Sequence, residues 1–270
     1  MRFLRLIAAF LRKDLLEEAS YRTAFLMQFG GIFISVTLWF LIARYLRPAE
    51  SALPDLPGVP YFAYLLIGIA FYHYLASALG SFATKLRNEQ LTGTLEAMLI
   101  TPTPIPVIIL SSALWDFLMT SLRVMAYLGM GLLFFGLQLR YDSLLAFFLI
   151  LFLTILAFSG IGILSAAFIL YLKRGDPLNF LISSVSGLFG GVFFPTQTMP
   201  YGLGAVGKFL PITYALNGIR KSLLVGTRLG DLLPEIAALL LFIVILLPLG
   251  LAGFSLAVRR AREEGTLAQY

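Results

Sequence analysis

The chain has 270 residues, 59% of them hydrophobic and 13% charged, with a formal net charge of +6 and a mean hydropathy of +0.91. A soluble domain is about 45–50% apolar, so this composition belongs to the membrane class, and the cations flank apolar runs, which points to membrane orientation rather than nucleic acid. No cysteine and a single histidine exclude disulfides, thiolate catalysis and a cysteine or histidine-cluster zinc site.

In residues 1–22, Phe3, Leu4, Ile7, Phe10, Leu11 and Leu15 recur at helical spacing, and Arg2, Arg5, Arg12 and Lys13 fill much of the rest. The pattern predicts an amphipathic helix lying in the membrane interface. Arg12, Lys13 and Asp14 interrupt the apolar stretch, so it does not read as a cleavable signal. Six apolar runs follow, at about 24–46, 60–84, 105–136, 143–172, 178–194 and 233–258, against the roughly 20 residues a spanning helix needs. The expected architecture is an all-α integral membrane protein, one permease domain over 1–270 with six transmembrane helices. The third run is over-long, which a tilt or an extension past the bilayer accommodates.

Lys and Arg set the orientation. With the N-terminus inside, the inner segments hold Arg2, Arg5, Arg12, Lys13, Arg22, Lys85, Arg87, Lys173, Arg174, Arg259, Arg260 and Arg262. The outer segments hold Arg44, Arg47, Arg140, Lys208, Arg220, Lys221 and Arg228. Six spans then place both termini in the cytoplasm of a plasma or inner membrane.

Residues 85–104 become a cytoplasmic loop containing "RNEQLTGTLEAMLITPTP". Leu95, Met98 and Leu99 share one face of a short helix. Gly93, with Glu96 three residues on, marks a helix start, the acid favouring the N-terminal dipole. Thr101-Pro102 ends it, because the residue before proline is pushed out of the α region. The segment fits both an ordinary interfacial loop and a docking element for a cytoplasmic partner.

Within the spans, Asp116 and Arg123 lie seven residues apart on the third run, about 10.5 Å along a helix. Charges at this depth face a partner or an aqueous cavity, so they fit either a structural network or contact with a polar substrate group or lipid headgroup. His73, flanked by tyrosines, reads as a hydrogen-bonded packing residue. Ser183, Gly187 and Gly191 form a small-residue stripe that allows close helix approach. Pro195, Pro200 and Pro211 break the segment 195–232, yet Ile212, Ala215, Leu216, Ile219 and Leu223 fall on a helical stripe. The pattern predicts short re-entrant or outer-leaflet helices.

"LRNEQLTGTLEAMLITPTP" resembles the cytoplasmic loop of the ABC type-2 exporter permeases, and "GGVFFPTQTMPYGLGAVGKFLPITYALNGIRKSLLVG" resembles their outer segment, with an Arg in a short helix ending at Gly226. The resemblance implies a coupling helix at Glu89, Gly93, Thr94, Leu95, Glu96, Met98, Leu99 and Pro102, docking on a separate ATP-binding cassette subunit. It further implies a cavity lined by the second and fifth spans, with Phe71, Tyr72, Phe180, Gly187 and Phe189 as pathway candidates beside Asp116 and Arg123. Phe194, Pro195, Met199, Pro200, Pro211 and Tyr214 would form an outer gate. Two ATP-binding subunits would serve two permease copies, identical or related. ATP and Mg would sit on the partner subunits and no cofactor on this chain, which has no Gly-x-x-x-x-Gly-Lys-Ser/Thr loop. The aromatic, apolar spans suit an amphipathic, drug-like or lipid-like cargo. An ATP-independent channel or secondary transporter is the alternative. A membrane enzyme is disfavoured, since no His-Glu-x-x-His or Gly-x-Ser-x-Gly pattern occurs.

Overall fold

The computed structural model describes residues 15, 22–46, 53, 56–91, 105–172 and 177–263. The described residues form helices and turns, with no strand among them. The apolar runs become α1 (Arg22–Leu46), α2 (Tyr61–Leu91), α3 (Ile105–Phe134), α4 (Leu144–Leu172), α5 (Pro177–Phe189) and, after a shorter helix α6 (Pro211–Arg220), α7 (Leu233–Glu263). The segment 1–22 is outside the described residues apart from Leu15 and Arg22, and so are Gly93, Thr94, Leu95, Glu96, Met98, Leu99 and Pro102.

Five helices are long and apolar enough to cross a membrane, and Leu178–Phe189 is a shorter apolar helix. α5 has 13 residues, about 20 Å, against a hydrocarbon core of about 30 Å. Its apolar run continues to Phe194, but the helix stops at Phe189 because Gly191 takes φ +79°, a left-handed conformation that glycine adopts without penalty. At its other end α2 outruns the expected limit at 84. No glycine or proline interrupts Lys85–Leu91, so the helix carries on through Glu89 to Leu91.

α2 is the central helix. Of its spanning window 78% is buried, against 17% in α1 and in the last span. It packs on α3 and α4, while α4 makes its largest contact with α7. The α4–α7 crossing brings backbone against backbone. A methyl on Gly250 would stand 2.6 Å from the Gly160 carbonyl oxygen, and one on Gly160 2.8 Å from the Leu246 carbonyl carbon. Gly250→Leu should therefore lower stability by about 1–3 kcal/mol through overpacking. At Gly253 a Cβ would meet only side-chain atoms, at 3.5 and 3.8 Å, so Gly253→Leu should be milder. Thermal melts of the two variants in detergent check the difference.

The loops before α2, between α3 and α4, and between α5 and α7 gather at one end of the bundle. There Arg140 N–H donates to the Leu223 carbonyl at 2.7 Å, and Ser143 Oγ donates to the Gly226 carbonyl at 3.0 Å.

Candidate functional site

After α5 the backbone is irregular, and its carbonyls need donors. In an apolar surrounding each unpaired group is costly. Three side chains supply the donors. Arg220 Nη1 donates to the Gly191 carbonyl at 2.8 Å and Nη2 to the Val192 carbonyl at 3.0 Å. Tyr64 Oη donates to the same Gly191 carbonyl at 2.7 Å, and Tyr61 Oη to the Phe193 carbonyl at 3.1 Å. Arg220 also reaches α2, where Nε and Nη2 donate to the Tyr64 carbonyl at 3.2 and 3.0 Å.

Arg220 is 1% exposed. Carbonyl dipoles compensate its charge, with no acid among the described residues paired to it, and its Cζ lies 3.4 Å from the centre of the Tyr64 ring, within cation–π reach. Its acceptors at 191 and 192 lie just past the C-terminal end of α5, where the helix dipole favours a cation. Burial pushes its pKa below the ordinary value, and Tyr64 and Tyr61 oppose that shift; arginine retains its proton under any working condition. Gly68 makes room for the head group, since a Cβ there would collide with Arg220 Nη2 and the Val192 carbonyl.

α6 presents the guanidinium because its stripe faces inward. Ile212, Ala215, Leu216 and Ile219 are all 1% exposed or less. Pro211 starts the helix at a position that needs no backbone donor. A wider turn, Lys221–Val225, continues it to Gly226, whose φ of +76° ends it. Lys221 Nζ then pairs with Glu235 Oε1 at 2.7 Å, joining α6 to the first turn of α7. Glu235 Oε2 has no hydrogen-bond partner.

The gate residues inferred from sequence surround this break. Pro195 and Pro211 are buried, Met199 is half-buried and Pro200 is exposed. Phe194 is 55% exposed. Tyr214 donates to the Lys208 carbonyl at 3.1 Å and its ring lies 6.0 Å from that of Phe242. Trp39 of α1 stacks on Phe193 at 5.3 Å.

The pathway candidates separate. Tyr72 and Gly187 come together: the Tyr72 hydroxyl donates to the Ser183 carbonyl at 2.9 Å and lies 3.6 Å from where a Gly187 Cβ would stand. The small-residue stripe of α5 thus packs on α2. Phe71 is in the core at 2% exposure, against Tyr74 and Phe147. Phe180 is 77% exposed and Phe189 half-buried.

Arg123 lies near the middle of the span Leu114–Phe134, and Asp116 near its start. Arg123 is held from α1, where the amide of Gln28, turned with its oxygen inward, accepts from Nε at 2.6 Å and Nη2 at 2.8 Å. Around it a polar seam joins α1, α2 and α3. His73 Nε2 lies 3.2 Å from Tyr127 Oη, which donates to Ser35 at 3.4 Å. Tyr74 donates to Ser121 at 2.8 Å, and Thr120 to Ser77 at 2.9 Å.

Tyr64, Gly68 and Glu235 were not singled out from the sequence, and Arg220 only as part of a motif. The available signal was a cation, Arg220, at the end of an apolar helical stripe with no acid at helical spacing. No curated protein matches the chain. The model of the ABC-2 type transporter domain matches residues 19–224, a region that includes α1 to α6, the broken end of α5 and Arg220. With most of its length inside that membrane domain, the chain belongs to the ABC-2 type transporter family.

Proposed function

We propose that the chain is the permease half of an ATP-driven exporter that moves an amphipathic, lipid-like or drug-like molecule out of the cytoplasm or inner leaflet. It works with two ATP-binding subunits and a second permease copy, in a plasma or inner membrane with both termini cytoplasmic. One observation carries this reading. α2 is continuous over 31 residues, about 46 Å. One end leads into the segment 92–104 through Lys85–Leu91, and the other holds the Tyr64 carbonyl on which Arg220 closes.

A buried, unbroken helix transmits displacement as a rigid body. Motion imposed at the docking segment by closing ATP-binding subunits would reach the break at 190–194 without an intervening hinge. The residues Glu89, Gly93, Thr94, Leu95, Glu96, Met98, Leu99 and Pro102 would form the docking surface, and Phe194, Pro195, Met199, Pro200, Pro211 and Tyr214 the gate. Asp116, Arg123, Tyr72 and Phe180 stay candidates for substrate contact, and ATP and Mg are the partner's to bind.

The test is a tagged pull-down from native membranes in mild detergent. Wild type should recover an ATP-binding protein, and the Leu95→Asp, Glu96→Lys double variant should lose it while still inserting. Recovery of no such partner by wild type would move the assignment to an ATP-independent transporter.

A further inference from the structure

A cleft of about 600 Å³ opens where the connections of α1–α2 and α3–α4 meet the end of the turn after α6. Small-molecule sites commonly enclose about 300–1,000 Å³. Three phenylalanines line it, Phe40, Phe62 and Phe135. Pro57, Gly58, Val59 and Pro60 form a wall, which two prolines stiffen. Gln138 and Arg140 also line it, and both are exposed.

Depth and charge narrow the occupant. Phe62 is the second residue of α2, Phe135 follows the last residue of α3, and Phe40 lies six residues before the end of α1. The cleft therefore sits at the ends of the helices, the level at which lipid chains meet headgroups. Arg140 Nη1 donates to the Val225 carbonyl at 3.2 Å. No carboxylate among the described residues pairs with Arg140, and a guanidinium carries five donors. Among the described residues, then, Arg140 has no ion-pair partner and shares the cleft lining with the three phenylalanines. An arginine in that position recognises the oxygens of a phosphate with several bonds at once.

We propose that this cleft binds an anionic phospholipid of the leaflet at this end, with the head on Arg140 and Gln138 and a chain against Phe40, Phe62 and Phe135. The site rests on the membrane placement of the chain and stands apart from the transport reading. Its occupant would tie the loop before α2 to the α3–α4 loop and the turn after α6, which already share the Arg140 N–H to Leu223 carbonyl bond.

The full chain, purified in mild detergent, is titrated against phosphatidylglycerol and phosphatidylcholine bearing the same fluorescent label, and binding is read by anisotropy. Wild type should bind the anionic probe at least fivefold more tightly. Arg140→Gln should remove that preference, and Arg140→Lys should keep part of it. Val59→Trp, which fills the cleft without touching the cation, should weaken both probes; gel filtration confirms that the variants stay folded. Equal affinity for the two lipids in wild type, a preference that survives Arg140→Gln, or unchanged binding in Val59→Trp would each overturn the proposal. So would displacement of the lipid by inorganic phosphate at equal concentration, since a bare anion would then suffice; failure of phosphate to compete supports the lipid.

Discussion

Arg220→Leu is expected to lower the stability of the chain by about 1–3 kcal/mol for each buried carbonyl it leaves without a donor. Leucine fills the space but donates nothing. The Val192 carbonyl is left without its side-chain donor, and the Gly191 carbonyl keeps only Tyr64. The link from α6 to α2 through the Tyr64 carbonyl disappears as well. Arg220→Lys should recover only part of the loss, because one ammonium on a flexible stem cannot serve carbonyls of residues 64, 191 and 192 in the geometry of a planar fork. Gly68→Ala attacks the same site from the opposite side, pushing a methyl into Nη2 and the Val192 carbonyl. It should reproduce the leucine phenotype with the arginine intact. Apparent Tm in detergent, together with protease sensitivity of the 190–210 segment, reads all three variants. A leucine variant that melts with wild type would mean that the break holds without its guanidinium.

Why the apolar runs could be read from the sequence and the staple could not follows from the range of the interactions. Hydropathy is local, so each of the six runs became a helix, and the inward stripe of α6 was visible as Ile212, Ala215, Leu216 and Ile219. Gly226 ended its helical run for an equally local reason, a positive φ. The early end of α5 was less legible. Gly190-Gly191 lies in an apolar sequence, and the positive φ of Gly191 that breaks the helix leaves carbonyls that find donors elsewhere in the chain, at positions 61, 64 and 220. Nothing in the local pattern reveals partners 29, 127 and 132 residues away. The same is true of Arg123. Its distance from Asp116 was computable, but its acceptor is Gln28 on another helix. Phe71 illustrates the converse limit, since an aromatic on the central helix looks identical in sequence whether it faces a cavity or the core where it lies.

Lys221→Met is expected to lower stability by about 2–3 kcal/mol, and adding Glu235→Leu should return most of it. Glu235 is nearly fully buried, with a side chain 7% exposed, whereas Lys221 keeps 30% of its surface. Removing the lysine leaves a carboxylate whose second oxygen already lacks a partner, and an uncompensated buried charge costs more than the pair contributed. Removing both charges takes away the desolvation cost along with the attraction, so the double variant should lie closer to wild type than the single one. The order of the single variants follows from position. Glu235→Leu strands an ammonium that can turn toward water, so it should be milder than Lys221→Met, with some additional loss because Glu235 also faces the positive end of the α7 dipole. A double-mutant cycle on apparent Tm measures the coupling. Strict additivity would remove the pair as a tie between α6 and α7. Coupling of the expected sign would make the pair a second fastening on the segment that Arg220 pins, one that can open to solvent while Arg220 stays closed. On the exporter reading, any loosening of 190–232 against α7 during transport would then begin at Lys221 and Glu235.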